Sequence, residues 1–275
     1  MSPHLGPEPS RARGRPVAAQ ASEFAEILGI RGFLRTHRGG RGGAGGEVLR
    51  VPGTDSIRHP LTRILLVLTL TTGVIDAACY LGLGRVFAAN MTGNIVLLGF
   101  GIAGSGGLPV VAPLVSLAAF LSGAVVGGRM GAMLAPKAAG LSRAMTIEVG
   151  FTALATLIAI VFDITPDHFS GDLIIALLAF AMGVRNATVR RLKVADLSTT
   201  VLTMTLTGLA ADSPPAGGDG AGGWRRGAAV LSMLAGAVAG ALLVKADLAL
   251  VLLASSALAL MTCLVFMPAA ICAGE

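Results

Sequence analysis

The chain has 275 residues, 54% of them hydrophobic and only 13% charged, with a formal net charge of +6. Ordinary soluble domains carry roughly 45–50% apolar and about 25% charged residues, so this composition excludes that class and indicates an integral membrane protein. Nor does the positive balance indicate nucleic acid, because the arginines crowd before the first apolar stretch, from Arg11 to Arg63, with no aromatic platform for bases among them.

Residues 1–60 are rich in Gly, Pro and Arg, most of all from Arg38 to Gly46. Such a composition cannot bury enough apolar surface to fold and is expected to form a disordered, basic cytoplasmic tail. Phe24, Ile27, Leu28 and Leu34 fall near one helical face, so residues 21–36 read as a transient helix or as one lying on the membrane surface. No secretory signal is expected, since the first apolar run follows the tail.

Six apolar segments then read as spans, at about 62–84, 108–128, 144–162, 172–190, 227–244 and 247–268. Two others, about 91–104 and 197–211, are short or Thr-rich. The basic groups Arg129, Lys137 and Arg143, the acidic stretch Asp163, Asp167 and Asp172, and the basic cluster Arg185, Arg190, Arg191 and Lys193 lie between segments. With the amino terminus inside, all three obey the positive-inside rule only if 91–104 enters and leaves on one face.

The halves also align. Gly73 and Asp76 match Gly183 and Asn186, while Gly123 and Gly127 match Gly236 and Gly240. Each half is then a span, a re-entrant or broken element and two further spans. Three spans is an odd number, so the second copy starts on the opposite face. The expected fold is all-α and integral to the membrane: about six transmembrane helices plus two short re-entrant or broken helices, as two inverted repeats over 61–163 and 164–270, with a short tail at 271–275. The alternative is seven or eight full spans in a parallel repeat.

The run from Thr72 to Asn94 includes Asp76-Ala77-Ala78-Cys79-Tyr80-Leu81 and Ala89-Asn90-Met91-Thr92-Gly93-Asn94. It resembles the signature of the YoaK family of bacterial membrane proteins, a domain of unknown function, over about residues 60–270. Gly183 to Ala187 and the pair Arg190-Arg191 match in the second half. Where the family tends to carry a second Thr-Gly soon after a Thr pair, this chain has Thr199-Thr200 and delays Thr207-Gly208. The resemblance implies a membrane protein, without a substrate or a reaction.

Polar groups at bilayer depth are expensive and tend to face an interior cavity. Asp76 is therefore read either as a structural carboxylate bonded to the neighbouring half or as a proton- or cation-coupling site, with Arg185 as its expected partner. Asn90, Thr92 and Asn94 are expected to cap a half-helix beginning near Thr92, whose amino end would suit an anionic group, or only to satisfy broken backbone. Asn186, Thr199 and Thr200, within the strip from Ser198 to Thr207, complete the candidate substrate or ion site. Gly123, Gly127, Gly236 and Gly240 have the spacing of close helix packing.

Cys79, Cys263 and Cys272 show neither disulfide nor zinc spacing. Gly99 to Gly104 fits a dinucleotide loop formally but lacks the strand context, and the sequons at Asn90 and Asn186 lie at membrane depth. No cofactor or metal is implied. All four histidines, His4, His37, His59 and His168, fall outside the spans, which disfavours an intramembrane enzyme.

The function expected is thus a small-solute transporter or channel in a bacterial inner (plasma) membrane, amino terminus cytoplasmic, with coupling to protons through Asp76 left open. The alternative is a non-transporting scaffold or sensor acting through the tail. The expected partners are the lipid bilayer and an unknown small solute or ion, with no nucleic acid; a homo-oligomer is left open.

Overall fold

The computed structural model describes residues 60–133, 137–162, 164, 168–192 and 202–272. The tail before Pro60, with its segment 21–36, lies outside them, as do Thr199 and Thr200. Among the described residues there are eight α-helices and no strand: α1 (Pro60–Ala78), α2 (Met91–Ile102), α3 (Val111–Met133), α4 (Lys137–Val161), α5 (Phe169–Leu192), α6 (Leu202–Ala211), α7 (Gly223–Val244) and α8 (Leu248–Cys272). A π-helical turn, Cys79–Gly84, continues α1.

Six helices are long and apolar enough to cross a membrane. The two others, α2 with 12 residues and α6 with 10, are not. At about 1.5 Å per residue they reach roughly 18 and 15 Å, against about 30 Å of hydrocarbon. The described chain is therefore an all-α integral membrane protein with six candidate spans rather than seven or eight. Between α2 and α3 the chain turns on Gly104, Gly106 and Gly107, all at positive φ, which glycine adopts without a Cβ penalty.

Helices α1 and α5 form the interior. Of their spans 67% and 61% are buried, against 17–33% for the other four. Buried hydroxyls on α1 do not break it, because Thr69, Thr71 and Thr72 each bond the carbonyl one turn earlier. Large side chains such as Leu121 and Val125 of α3 and Leu234, Val238 and Leu242 of α7 point outward, as a lipid-facing surface requires.

Glycine sets how α1 and α5 are held. A Cβ at Gly236 of α7 would meet the Leu70 carbonyl oxygen of α1 at 2.0 Å, one at Gly240 would meet that of Val74 at 2.8 Å, and one at Gly73 would meet that of Met233 at 2.4 Å. The same contacts join α3 and α5: Gly123 to the Phe180 oxygen at 2.1 Å, Gly127 to Val184 at 2.4 Å and Gly183 to Phe120 at 2.1 Å. The expected packing glycines thus build two joints in matching register, each backbone against backbone.

Polar residues occupy a layer between two apolar clusters. One cluster joins Leu65 and Leu68 of α1, Leu141 and Met145 of α4 and Val189 of α5. The other joins Ile75 and Cys79 of α1, Ala155 of α4 and Leu178 and Met182 of α5. Thr72, Glu148 and Arg185 fall between the two on their respective helices, and all three are fully buried.

Candidate functional site

After the π-helical turn, Gly84 (φ 143°) and Arg85 (φ 55°) reverse the chain into an irregular segment that leads to α2. Non-helical backbone inside a membrane protein must find partners, and two side chains supply them here. Asp76 Oδ1 accepts the amide N–H groups of Ala88 and Ala89, both at 2.9 Å. Asn94 holds Phe87 at both ends: its Oδ1 accepts the Phe87 N–H at 2.8 Å and its Nδ2 donates to the Phe87 carbonyl at 2.7 Å. Ser116 of α3 accepts from Asn94 Nδ2 at 3.0 Å and donates to the same carbonyl at 2.7 Å. The Phe87 ring then stacks on Tyr80 with centroids 4.9 Å apart.

Asn94→Ala is expected to leave the Phe87 N–H without its partner and its carbonyl with Ser116 alone, and to cost about 1–3 kcal/mol for the buried donor left unsatisfied. Thermal unfolding of the detergent-purified protein, compared with the Ile95→Ala control on the exposed side of α2, measures it. Equal melting of the two variants would contradict the clamp.

Asn90 is the N-cap of α2, its Oδ1 accepting the Gly93 N–H at 3.3 Å. The short helix therefore begins at Met91, and Asn94 holds the preceding segment rather than capping. Thr92 is exposed and lines an open pocket of about 660 Å³ together with Tyr80, Phe87, Asn90, Gly93, Val96, Leu97 and Thr203. Since Thr203 lies in the first turn of α6, the amino ends of both short helices meet this one pocket.

Arg185 does not take Asp76 as its hydrogen-bonding partner, contrary to the sequence expectation. Its Nη1 donates to Glu148 Oε1 at 2.6 Å and its Nη2 to Thr72 Oγ1. Its charge also reaches Asp76, but Asp76 spends its hydrogen bonds on the broken backbone. Glu148 is the residue that sequence reasoning missed. The signal that singles out Asp76, a carboxylate inside an apolar span, applies equally to Glu148 within 144–162.

Asn186, the counterpart of Asp76 in the repeat alignment, is partly buried on α5 beside Arg185. Of the Thr strip, Thr203 lines the pocket, Thr205 is buried and Thr207 bonds the Thr203 carbonyl of its own helix at 2.9 Å. The structure thus gathers Asn90, Thr92 and Thr203 at the pocket, with Asp76 and Asn94 holding the segment that leads to it. Arg185 sits in the separate polar layer.

Comparison with known proteins gives two matches. The model of a family described as "Protein of unknown function (DUF1275)" matches residues 64–265. The UPF0700 transmembrane protein YoaK of Bacillus subtilis (strain 168) is similar, 35% identical over 153 residues, which make up 54% of this chain and 65% of that protein's length. The matched stretch thus spans a little under two thirds of that relative. No solved structure matches the chain.

Proposed function

We propose, from the premise that this chain belongs to the DUF1275 family of membrane proteins, that it is a transporter or channel for a small polar solute. The observation that carries this reading is the convergence of the amino ends of α2 and α6 on one pocket. A helix amino end presents unpaired N–H groups and a partial positive charge, which favours a solute with an electron-rich group, neutral or anionic. Asn90, Thr92, Thr203 and Tyr80 add donors and acceptors, while Phe87, Val96 and Leu97 supply apolar wall. That combination of mostly apolar lining and a few placed polar groups is what a small-molecule site needs.

The matching glycine joints support an inverted repeat, because three candidate spans fall within residues 61–163 and three within 164–270. Short helices meeting near the interior of such repeats are a recurrent plan of transporters. The arginine-rich tail supports a cytoplasmic amino terminus in the inner membrane. The reading includes no catalytic step. The scaffold or sensor alternative rests on that tail, which lies outside the described residues.

Light-scattering measurements of solute entry into proteoliposomes, over a graded set of small neutral and anionic solutes, test the proposal. At least one solute is expected to enter faster than into protein-free vesicles. Thr92→Val combined with Thr203→Val is expected to slow entry by roughly two- to tenfold, the equivalent of one hydrogen bond at about 0.5–1.5 kcal/mol. A wild-type protein that admits none of the solutes would remove the transport reading.

A further inference from the structure

We propose that Glu148 is the seat of one exchangeable proton inside the membrane, and that its occupancy decides which of two carboxylates the Arg185 guanidinium serves. The transport reading is needed for the coupling role but not for the proton site itself.

The argument starts from charge. Asp76 and Glu148 are both buried, at 5% and 0% exposure, and both feel the single guanidinium of Arg185. Two carboxylates and one guanidinium leave one negative charge uncompensated. Among the described residues no neighbouring helix brings a second cation to this layer: on α7 the buried Arg225 lies more than two turns before Met233, which meets Gly73 of α1. On α8, described from Leu248 to Cys272, there is no acidic or basic residue. On α5 the other charged groups are Asp172 in the first turn and Arg190 and Arg191 in the last. On α3 Arg129 is exposed, and on α4 itself Arg143 is exposed one turn or more away. On α1 itself Arg63 is exposed more than two turns before Thr72, and in the π-helical turn that continues α1 Cys79 lies near Asp76. An uncompensated charge at this depth is costly, and one proton removes it.

Hydrogen bonding says where that proton sits. Asp76 Oδ1 is occupied by two backbone amides, donors that require a lone-pair acceptor. Glu148 uses only Oε1, and its Oε2 is buried with no hydrogen-bond partner. Arg185 Nε is likewise buried without one. Protonation at Oε2 converts the Glu148 carboxylate to a neutral acid, with no other bond made or broken, and the guanidinium charge is then available to Asp76 alone. Because Asp76 holds Ala88 and Ala89, a shift of Arg185 toward it competes with those amides and acts on the segment leading to α2 and the pocket. Proton occupancy and pocket geometry are linked through one carboxylate.

Infrared spectra of the full chain in proteoliposomes, recorded across pH without any solute, provide the test through the carbonyl band of a protonated carboxylic acid. One such band is expected in the wild-type protein, shifted by heavy-carbon labelling of glutamate and not of aspartate, and it is expected to be lost in Asp76→Asn, where one carboxylate faces one guanidinium. It is expected to vanish in Glu148→Gln, whereas in Glu148→Gln/Arg185→Gln, where Asp76 is left without a cation, a band that follows aspartate labelling is expected in its place, which keeps the assignment accessible if the single variant does not fold. Absence of the band from the wild type overturns the proposal. So does a wild-type band that follows aspartate labelling, persistence of the band in Glu148→Gln, or a band that responds to sodium and not to pH. Solute entry measured on the same vesicles separates the two readings: the band without flux leaves the proton site standing and removes transport, and flux without the band does the reverse.

Discussion

Gly236→Ala is expected to abolish the folded protein, whereas Gly128→Ala is expected to be harmless. The new methyl at Gly236 would lie 2.0 Å from the Leu70 carbonyl oxygen, 2.9 Å from its carbon and 3.1 Å from its Cα. None of these is the end of a flexible side chain, so α1 and α7 must separate along their length. An overpacked core position costs about 1–3 kcal/mol even where side chains can adjust, and a backbone clash exceeds that. In lipid there is no hydrophobic drive to hold separated helices together, so close packing is most of what the joint has. Gly127→Ala and Gly183→Ala, at 2.4 and 2.1 Å from carbonyl oxygens, should behave alike at the second joint. A Cβ at Gly128, the next residue on α3, meets nothing within 4 Å, and alanine there should gain up to about 1 kcal/mol of helix propensity. Detergent-solubilised yield and thermal unfolding decide the matter. If Gly236→Ala melts with the wild type, α1 and α7 do not pack as described.

The second large effect concerns the buried ion pair, and it is asymmetric. Removing one partner of such a pair typically costs about 3–5 kcal/mol, because the survivor is left as an unpaired buried charge. The survivors differ, however. Arg185→Gln leaves two buried carboxylates, Asp76 and Glu148, without a cation, whereas Glu148→Gln stands in for the protonated acid and leaves the guanidinium, which has no neutral form in proteins, to Asp76. Arg185→Gln should therefore destabilise more than Glu148→Gln, and the double variant should recover part of the loss. The single costs should fail to add, as expected of groups in direct contact. A denaturant series on the four proteins gives the coupling. Additive costs would mean that the 2.6 Å contact between Arg185 and Glu148 contributes nothing.

Much of the architecture was legible in sequence because the membrane imposes coarse rules. Span length, the shortness of 91–104 and the spacing of Gly123, Gly127, Gly236 and Gly240 all follow from a fixed hydrocarbon thickness and from the need for small residues where helices touch. The cap at Asn90 was legible for a local reason: an asparagine, which favours the N-cap, just before a short apolar run. The partner of Arg185 was not. Alignment of the halves brought Asp76 to mind because Asn186 is its counterpart, yet hydrogen bonding follows three-dimensional neighbours, and α4 brings Glu148 alongside α5. Side-chain periodicity in an apolar span also conceals which face is inward, so Thr72 and Ser116 gave no sign of their roles. The π-helical turn at Cys79–Gly84 has no signature in composition. It widens α1 just before the reversal at Gly84 and Arg85.

The glycine joints also bear on the order of events during synthesis. The first helix closes not on its neighbour in the chain but on α7, which starts only at Gly223. At the usual rate of roughly 5–20 residues per second, α1 waits on the order of ten seconds before its partner exists. Throughout that time the surface around Gly73 has no α7 to cover it. Whatever shelters α1 in that interval, an insertion machine or a companion in the bilayer, must tolerate a helix that is greasy enough to enter lipid and polar enough to resent it.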